Sequence, residues 1–163
     1  MASNISPLIE AISVLTDWDH HPRIQATLRT TRNGNDTLSV ITATPESNEW
    51  TVARRDEDIV ERRTVDGLYT LTSGRKEIER SIRDARRVPP ALWLVFPMSA
   101  FFWGRPRDTW RMVDAARAGH ETEITLIHME QAEFQATLTV NHDLRIATKL
   151  WMPGETFELF DFE

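Results

Sequence analysis

The sequence predicts an α+β fold, an antiparallel sheet preceded by one helix and interrupted by a helical, apolar insert. Three observations carry this. Period-two alternation punctuated by turn residues runs through residues 24–72 and again through 109–162. Helical spacing precedes the first stretch, over Ser6–Leu15, and separates the two, over Lys76–Arg87. The run ALWLVFPMSAFFW, apolar on all sides, then extends the interruption to Trp103, so that the insert spans about 76–103.

Each element has a local cause. Ser6 can cap the first helix, Pro7 sits in the tolerated first turn, and Leu8, Ile9, Ile12 and Leu15 fall at helical spacing. The polar stretch TDWDHHP ends it. In Ile24–Arg32, Ile24, Ala26 and Leu28 point one way and Gln25, Thr27 and Arg29 the other. The turn NGND leads into Asp36–Thr44, rich in Thr, Val and Ile. PESN turns the chain into Asn48–Arg55, which carries Trp50 and Val52 on one face. Ile59–Thr64, a turn at Asp66-Gly67, and Leu68–Thr72 complete the first series.

In Lys76–Arg87, Ile78, Ile82 and Ala85 share one helical face and Lys76, Arg80, Arg83 and Arg87 another, until Pro89-Pro90 stops the helix. Strands resume over Thr109–Val113, Glu121–Met129, Glu133–Val140, Leu144–Met152 and Thr156–Phe162. No repeat or low-complexity linker divides the chain. Its 163 residues read as one domain, 1–163, within the ~100–200 residues usual for one.

Composition excludes several classes of function. With 19 basic and 25 acidic residues the net charge is −6, and a nucleic-acid partner is not expected, because phosphate contacts need clustered positive charge. The charge is uneven. Fourteen basic and ten acidic residues give segment 54–117 a net +4, whereas two basic and nine acidic give 118–163 a net −7. The longest apolar stretch, Pro89–Gly104, is broken by Pro97 and falls short of the ~20 residues that span a bilayer, so no transmembrane segment is expected. The start, MASNISPLIEAISVL, lacks the basic and long apolar regions of a secretory signal, and a cytoplasmic location is expected. The chain has no cysteine, which removes disulfides, thiolate nucleophiles, iron–sulfur sites and zinc sites with sulfur ligands. It has six Trp against one Tyr, which asks what the indoles pack against.

The order of elements resembles the LolA/LppX-like family of lipoprotein carriers and lipid-binding proteins. The likeness rests on a helix before the strand ATLRTT, on VDGLYTL (Val65–Leu71), on the block between Lys76 and Trp103, and on FQATLTVNHDLRIATKLW, and it covers about Leu8 to Phe162. It implies a strongly curved antiparallel sheet, a half-barrel, wrapped around a helical apolar plug. It also implies a concave apolar surface of the kind that binds long acyl chains. Family members are usually exported or membrane-anchored, and no export signal is visible in this sequence. The ligand-binding residues expected on this reading are Trp50, Tyr69, Trp110, Phe134 and Trp151 from strands, with Trp93, Phe96, Met98, Phe101, Phe102 and Trp103 from the insert. The same aromatics would equally make a filled core.

Motifs for chemistry are sparse. His20 and His21, flanked by Asp17 and Asp19, are weak metal candidates; a polar helix-to-strand connection explains them as well. His120 and His128, eight residues apart at ~3.3 Å each, stand about 26 Å apart on a strand, too far for one ion. There is no G-x-S-x-G, phosphate-binding glycine loop, G-x-G-x-x-G or H-E-x-x-H, so no catalytic residue and no cofactor is named. Arg80, Arg83 and Arg87 form a candidate surface for an anionic partner, diluted by Glu77, Glu79 and Asp84. The expected function is non-enzymatic binding of a hydrophobic small molecule or lipid in the concavity. The alternatives are a module that docks a protein partner through a sheet edge or the aromatic insert, and a small enzyme that uses the same cavity.

Overall fold

A computed structural model describes residues 5–85 and 87–163. Helix α1, Ile5–Thr16, opens the chain. Eleven strands follow: β1 Ile24–Arg32, β2 Asn35–Thr44, β3 Glu49–Arg54, β4 Ile59–Arg63, β5 Leu68–Ser73, β6 Lys76–Ile82, β7 Trp110–Ala118, β8 Glu121–His128, β9 Gln135–Asn141, β10 Ile146–Met152 and β11 Glu155–Phe160. They form one sheet in the order β6-β5-β4-β3-β2-β1-β11-β10-β9-β8-β7, each neighbour antiparallel. Two meanders, β1 to β6 and β7 to β11, thus join along β1 and β11, where Leu28 faces Leu159 and Thr30 faces Phe157. The first hairpin turns at Asn33 (φ 51°) and Gly34 (φ 79°), the pair of positive φ angles that an Asn-Gly turn supplies.

The expected α+β fold with a helical insert is overturned. The molecule is an open antiparallel sheet with a single α-helix among the described residues, and none of those within 76–103 is α-helical. Lys76–Ile82, read from its spacing as helix, is the edge strand β6. Ile78 and Ile82 lie four apart, a spacing that satisfies a period of two as well as one of 3.6. Gly74 (φ 57°) closes a tight turn that returns the chain to the free backbone groups of β5. A lone helix of about a dozen residues has little stability of its own to compete with that pairing. Beyond it, the apolar segment folds irregularly, with short 3-10 turns at Pro90–Leu92 and Pro97–Ser99, each begun by a proline that has no N–H to donate.

One face of the sheet is covered, by α1 and this apolar segment. Ala11 and Leu15 of α1 are buried where the helix crosses β7 to β10. The strands bury alternate positions on that face: Ala26 opposite Ile41, Ile41 opposite Val52, Leu150 opposite Phe157 and Leu138 opposite Ile124. Leu92 to Pro97 are all buried, which explains why that run shows no periodicity. The other face is bare.

Both edges are blunted. The β5–β6 register shifts between Leu71 and Thr72, leaving Ile78 as the extra residue, and β6 carries Lys76, Glu77, Glu79 and Arg80. The β7–β8 register shifts between Met112 and Asp114, leaving Val113 extra. Bulges and charges are the devices that keep a free edge from pairing with another chain.

Candidate functional site: a groove on the covered face

Cover on that face is incomplete. The inward positions of β1 run Ile24, Ala26, Leu28 and then Thr30; those of β2 run Ala43, Ile41, Ser39 and Thr37, with Thr30 opposite Thr37. Apolar side chains give way to small polar ones at the same level of both strands, where the insert stops reaching. A groove of about 490 Å³ results. Leu28, Val52 and Phe157 make its apolar floor, and Pro89, Pro90 and Ala91 form one wall. Thr30, Thr37 and Ser39 add hydroxyls; Arg54 and Glu61 border it from β3 and β4, and Arg32 and Glu155 from β1 and β11.

The charged border is organised by neighbouring contacts. Arg32 Nε donates to Glu155 at 3.0 Å, and Arg54 to Glu57 at 3.0 Å. Glu61 accepts the Tyr69 hydroxyl at 3.3 Å, while the Arg83 guanidinium lies 3.4 Å from the centre of the Tyr69 ring. Burial, with the Glu61 carboxylate beside it, raises the Tyr69 phenol above its ordinary value. Arg63, itself buried, donates to the Asn48 carbonyl at 2.8 Å and to the Arg83 carbonyl at 3.3 Å, and so ties separate turns together at this end of the sheet.

The aromatics expected to bind ligand are placed differently. Trp50, Tyr69, Trp93, Phe96, Phe102 and Trp110 are buried in the core. Trp93 meets Phe101 and Phe102 edge-on at 5.6 and 6.3 Å, and Trp103, half-buried, donates its indole N–H to the Pro97 carbonyl at 2.8 Å. Around Leu94, Val95 and Pro97, against Leu15, Ile24 and Ile146, the space left is about 10 Å³, room for about one water. Met98, Phe101 and Phe134 are exposed, and Trp151 stands exposed on the bare face. None of the eleven lines the groove. Its floor was legible only as the inward phase of β1, β3 and β11; the signal that marks it is the switch from apolar to Thr and Ser at matched levels of β1 and β2.

The remaining candidates resolve as follows. No helical face gathers Arg80, Arg83 and Arg87: Arg80 pairs with Glu77 at 2.7 Å, Arg83 with Glu79 at 3.0 Å, and Arg87, itself exposed, lies beyond β6. Asp17, Asp19 and His20 bring potential ligand atoms within 4.8 Å of one another, and His20 lies 3.1 Å from Asp17. His21 turns away, to the Arg145 carbonyl at 2.8 Å, and Asp17 also binds the Arg145 guanidinium. The loop is thereby explained as the clasp between α1 and the β9–β10 turn. No helix among the described residues is long and apolar enough to cross a membrane.

No family model matches the chain, and no curated protein matches its sequence. Among solved structures, MucB aligns at TM-score 0.49 and 17% identity over 95% of this chain and 57% of its own. MucB in complex with MucA(peri) aligns at TM-score 0.46 and 15% identity over 95% and 54%. The chain therefore spans little more than half the length of those MucB chains. An uncharacterized conserved protein from Thermus thermophilus aligns at TM-score 0.59 and 11% identity, over 96% of this chain and 86% of that one, and it is with this protein that the open antiparallel fold is shared.

Proposed function

We propose that the protein is a non-catalytic binding protein that holds a hydrophobic, lipid- or acyl-chain-like ligand in the groove on its covered face, a use that the LolA/LppX-like resemblance also suggests. One observation carries this reading: a groove of about 490 Å³, within the ~300–1,000 Å³ of small-molecule sites, lies over the buried apolar residues Leu28, Val52 and Phe157 and against the less buried Pro89, Pro90 and Ala91. An aliphatic chain laid on that floor gains burial at about 25 cal/mol per Å². Its polar end would meet the hydroxyls of Thr30 and Thr37 or the charged border. The aromatics of the insert pack the core beside the groove rather than line it.

Titration with a fluorescent fatty acid tests the reading. Saturable binding is expected, and Thr30→Trp, which fills the groove from a half-buried position, should abolish it without lowering the melting temperature. Absence of saturable binding to the unmodified protein, or binding unchanged in Thr30→Trp, would count against it.

A second reading, docking of a protein partner, is favoured by one corner of the molecule. Met98, Phe101, Met129 and Phe134 are each about two-fifths exposed there. Backbone bonds join three of the segments, with Trp110 N–H donating to Phe101 at 2.9 Å and Met129 N–H to Thr109 at 2.8 Å. This corner, built by the insert and the β8–β9 connection, is the surface such a partner would use, not the blunted edges.

A further inference from the structure

The bare face carries a second groove, of about 690 Å³, over β7 to β11. Its shape follows from the register. Across one row the residues are Ala116, Glu123, Thr139, Lys149 and Glu158. Ala116 and Ala118 are too short to fill the β7 side, so Glu121 and Glu123 of β8 stand over a trough floored by Thr137 and Thr139. Across the trough stand Lys149 and Glu158, flanked by Trp151, 46% exposed, toward one end and by Phe160 and Phe162 toward the other.

The two walls differ in charge. Glu158 is held by Arg29 at 3.1 Å, whereas Glu121 and Glu123 form no ion pair among the described residues. On the far side Lys149 is set directly opposite Glu158, and the Arg29 guanidinium, paired with Glu158, lies 4.8 Å from the centre of the Phe160 ring, so the uncompensated charge belongs to Glu121 and Glu123. Segment 118–163, which supplies most of the lining, holds two basic and nine acidic residues. The local field therefore disfavours anionic lipids, phosphates and acidic chains and attracts cations.

We propose that this groove binds an extended peptide segment with alternating cationic and apolar side chains. An extended chain sends successive side chains to opposite sides. Laid along the trough, it directs Lys or Arg to Glu121 and Glu123 and its apolar side chains to Trp151 and Phe160. Trp151 also offers its ring face to a cation or to an aliphatic stem. The site lies on the face opposite the first groove and shares no lining residue with it, so the two can be filled independently.

Calorimetric titration with a capped Lys-Leu-Lys-Leu-Lys peptide, with its Glu-Leu-Glu-Leu-Glu counterpart, and with maltohexaose tests the proposal. Saturable binding of the Lys peptide is expected, weaker at high salt, with no binding of the Glu peptide. Glu121→Gln with Glu123→Gln, and separately Trp151→Ala, should each weaken it at least tenfold while the thermal melt stays put, since these side chains stand on the bare face. Thr30→Trp, in the other groove, should leave it unchanged, which separates this site from the lipid-binding reading. No binding of the Lys peptide, equal binding of both peptides, binding of the sugar alone, or binding unaffected by the Gln pair would each overturn the proposal.

Discussion

Asp108 and Arg105 lock the end of the irregular insert. The Asp108 carboxylate, almost wholly buried, accepts the backbone N–H groups of Trp103 at 2.9 Å and Arg105 at 3.1 Å, and the Arg105 Nε at 3.0 Å. The guanidinium in turn donates to the Met98 carbonyl at 3.2 Å and to that of Ala100. A segment without regular structure has no ladder to satisfy its backbone, and this pair supplies the missing partners from side chains. Asp108→Ala orphans two backbone donors and should cost about 2–4 kcal/mol in urea unfolding. Asp108→Asn keeps an acceptor and should cost clearly less. Arg105→Ala should also cost less, because its side chain is half in solvent.

Gly67 and Gly34 both hold positive φ, at 84° and 79°, but differ in their surroundings. A Cβ on Gly67 would lie 3.2 Å from the Arg83 carbonyl oxygen, which itself accepts from Arg63; one on Gly34 would meet nothing within 4 Å. Gly34→Ala is expected to cost about 1–2 kcal/mol, the left-handed backbone alone. Gly67→Ala should cost measurably more, and equal losses for the two in denaturant titrations would contradict this account.

Tyr69 predicts an alkaline limb in stability. Burial, with Glu61 alongside, raises its folded-state pKa above the ordinary value of 10.0. Above about pH 10 the unfolded chain gives up this proton while the folded chain keeps it, so stability is intact below that pH and falls as pH rises toward the folded value. Tyr69→Phe, which has no proton to lose, should flatten that limb in melts taken from about pH 9 to 11.

The charged bulge of β6 predicts what its removal does. Glu77→Val with Glu79→Val replaces two of its charges by β-branched side chains beside the exposed Ile78 and Ile82. Sedimentation velocity should show larger, concentration-dependent species than the unmodified protein gives. An unchanged distribution would mean that the bulge alone protects the edge.

The strands that were legible are those with one face buried. Ile24–Arg32 matches its expected span, and β2 to β5 and β8 to β11 fall within a few residues of theirs, because alternation and the Asn-Gly and Asp-Gly turns record burial directly. β6 was not legible for the opposite reason. Its residues are exposed on both sides apart from Ser81, so burial left no period in the sequence, and the bulge at Ile78 broke what alternation remained. The insert failed differently: Leu92 to Pro97 are buried all round, a pattern common to a helix and to an irregular plug, and the prolines at 89, 90 and 97 were the better guide. The groove is not legible in the aromatic residues, which mark the places that are packed; its signal is the Thr and Ser at matched levels of β1 and β2.

The seam between β1 and β11 bears on how the molecule comes together. Arg29 and Glu158 meet across it from 129 positions apart, whereas every strand pairing within a meander is between sequence neighbours. Each meander can zip locally, but joining them requires one closure over most of the chain, and the entropy of that closure is lost before the contacts it permits are formed. Folding should thus have a single topological bottleneck: the first groove, which draws residues from both sides of the seam, comes into being only once it is passed, whereas the second, lined from β7 to β11 alone, needs only its own meander.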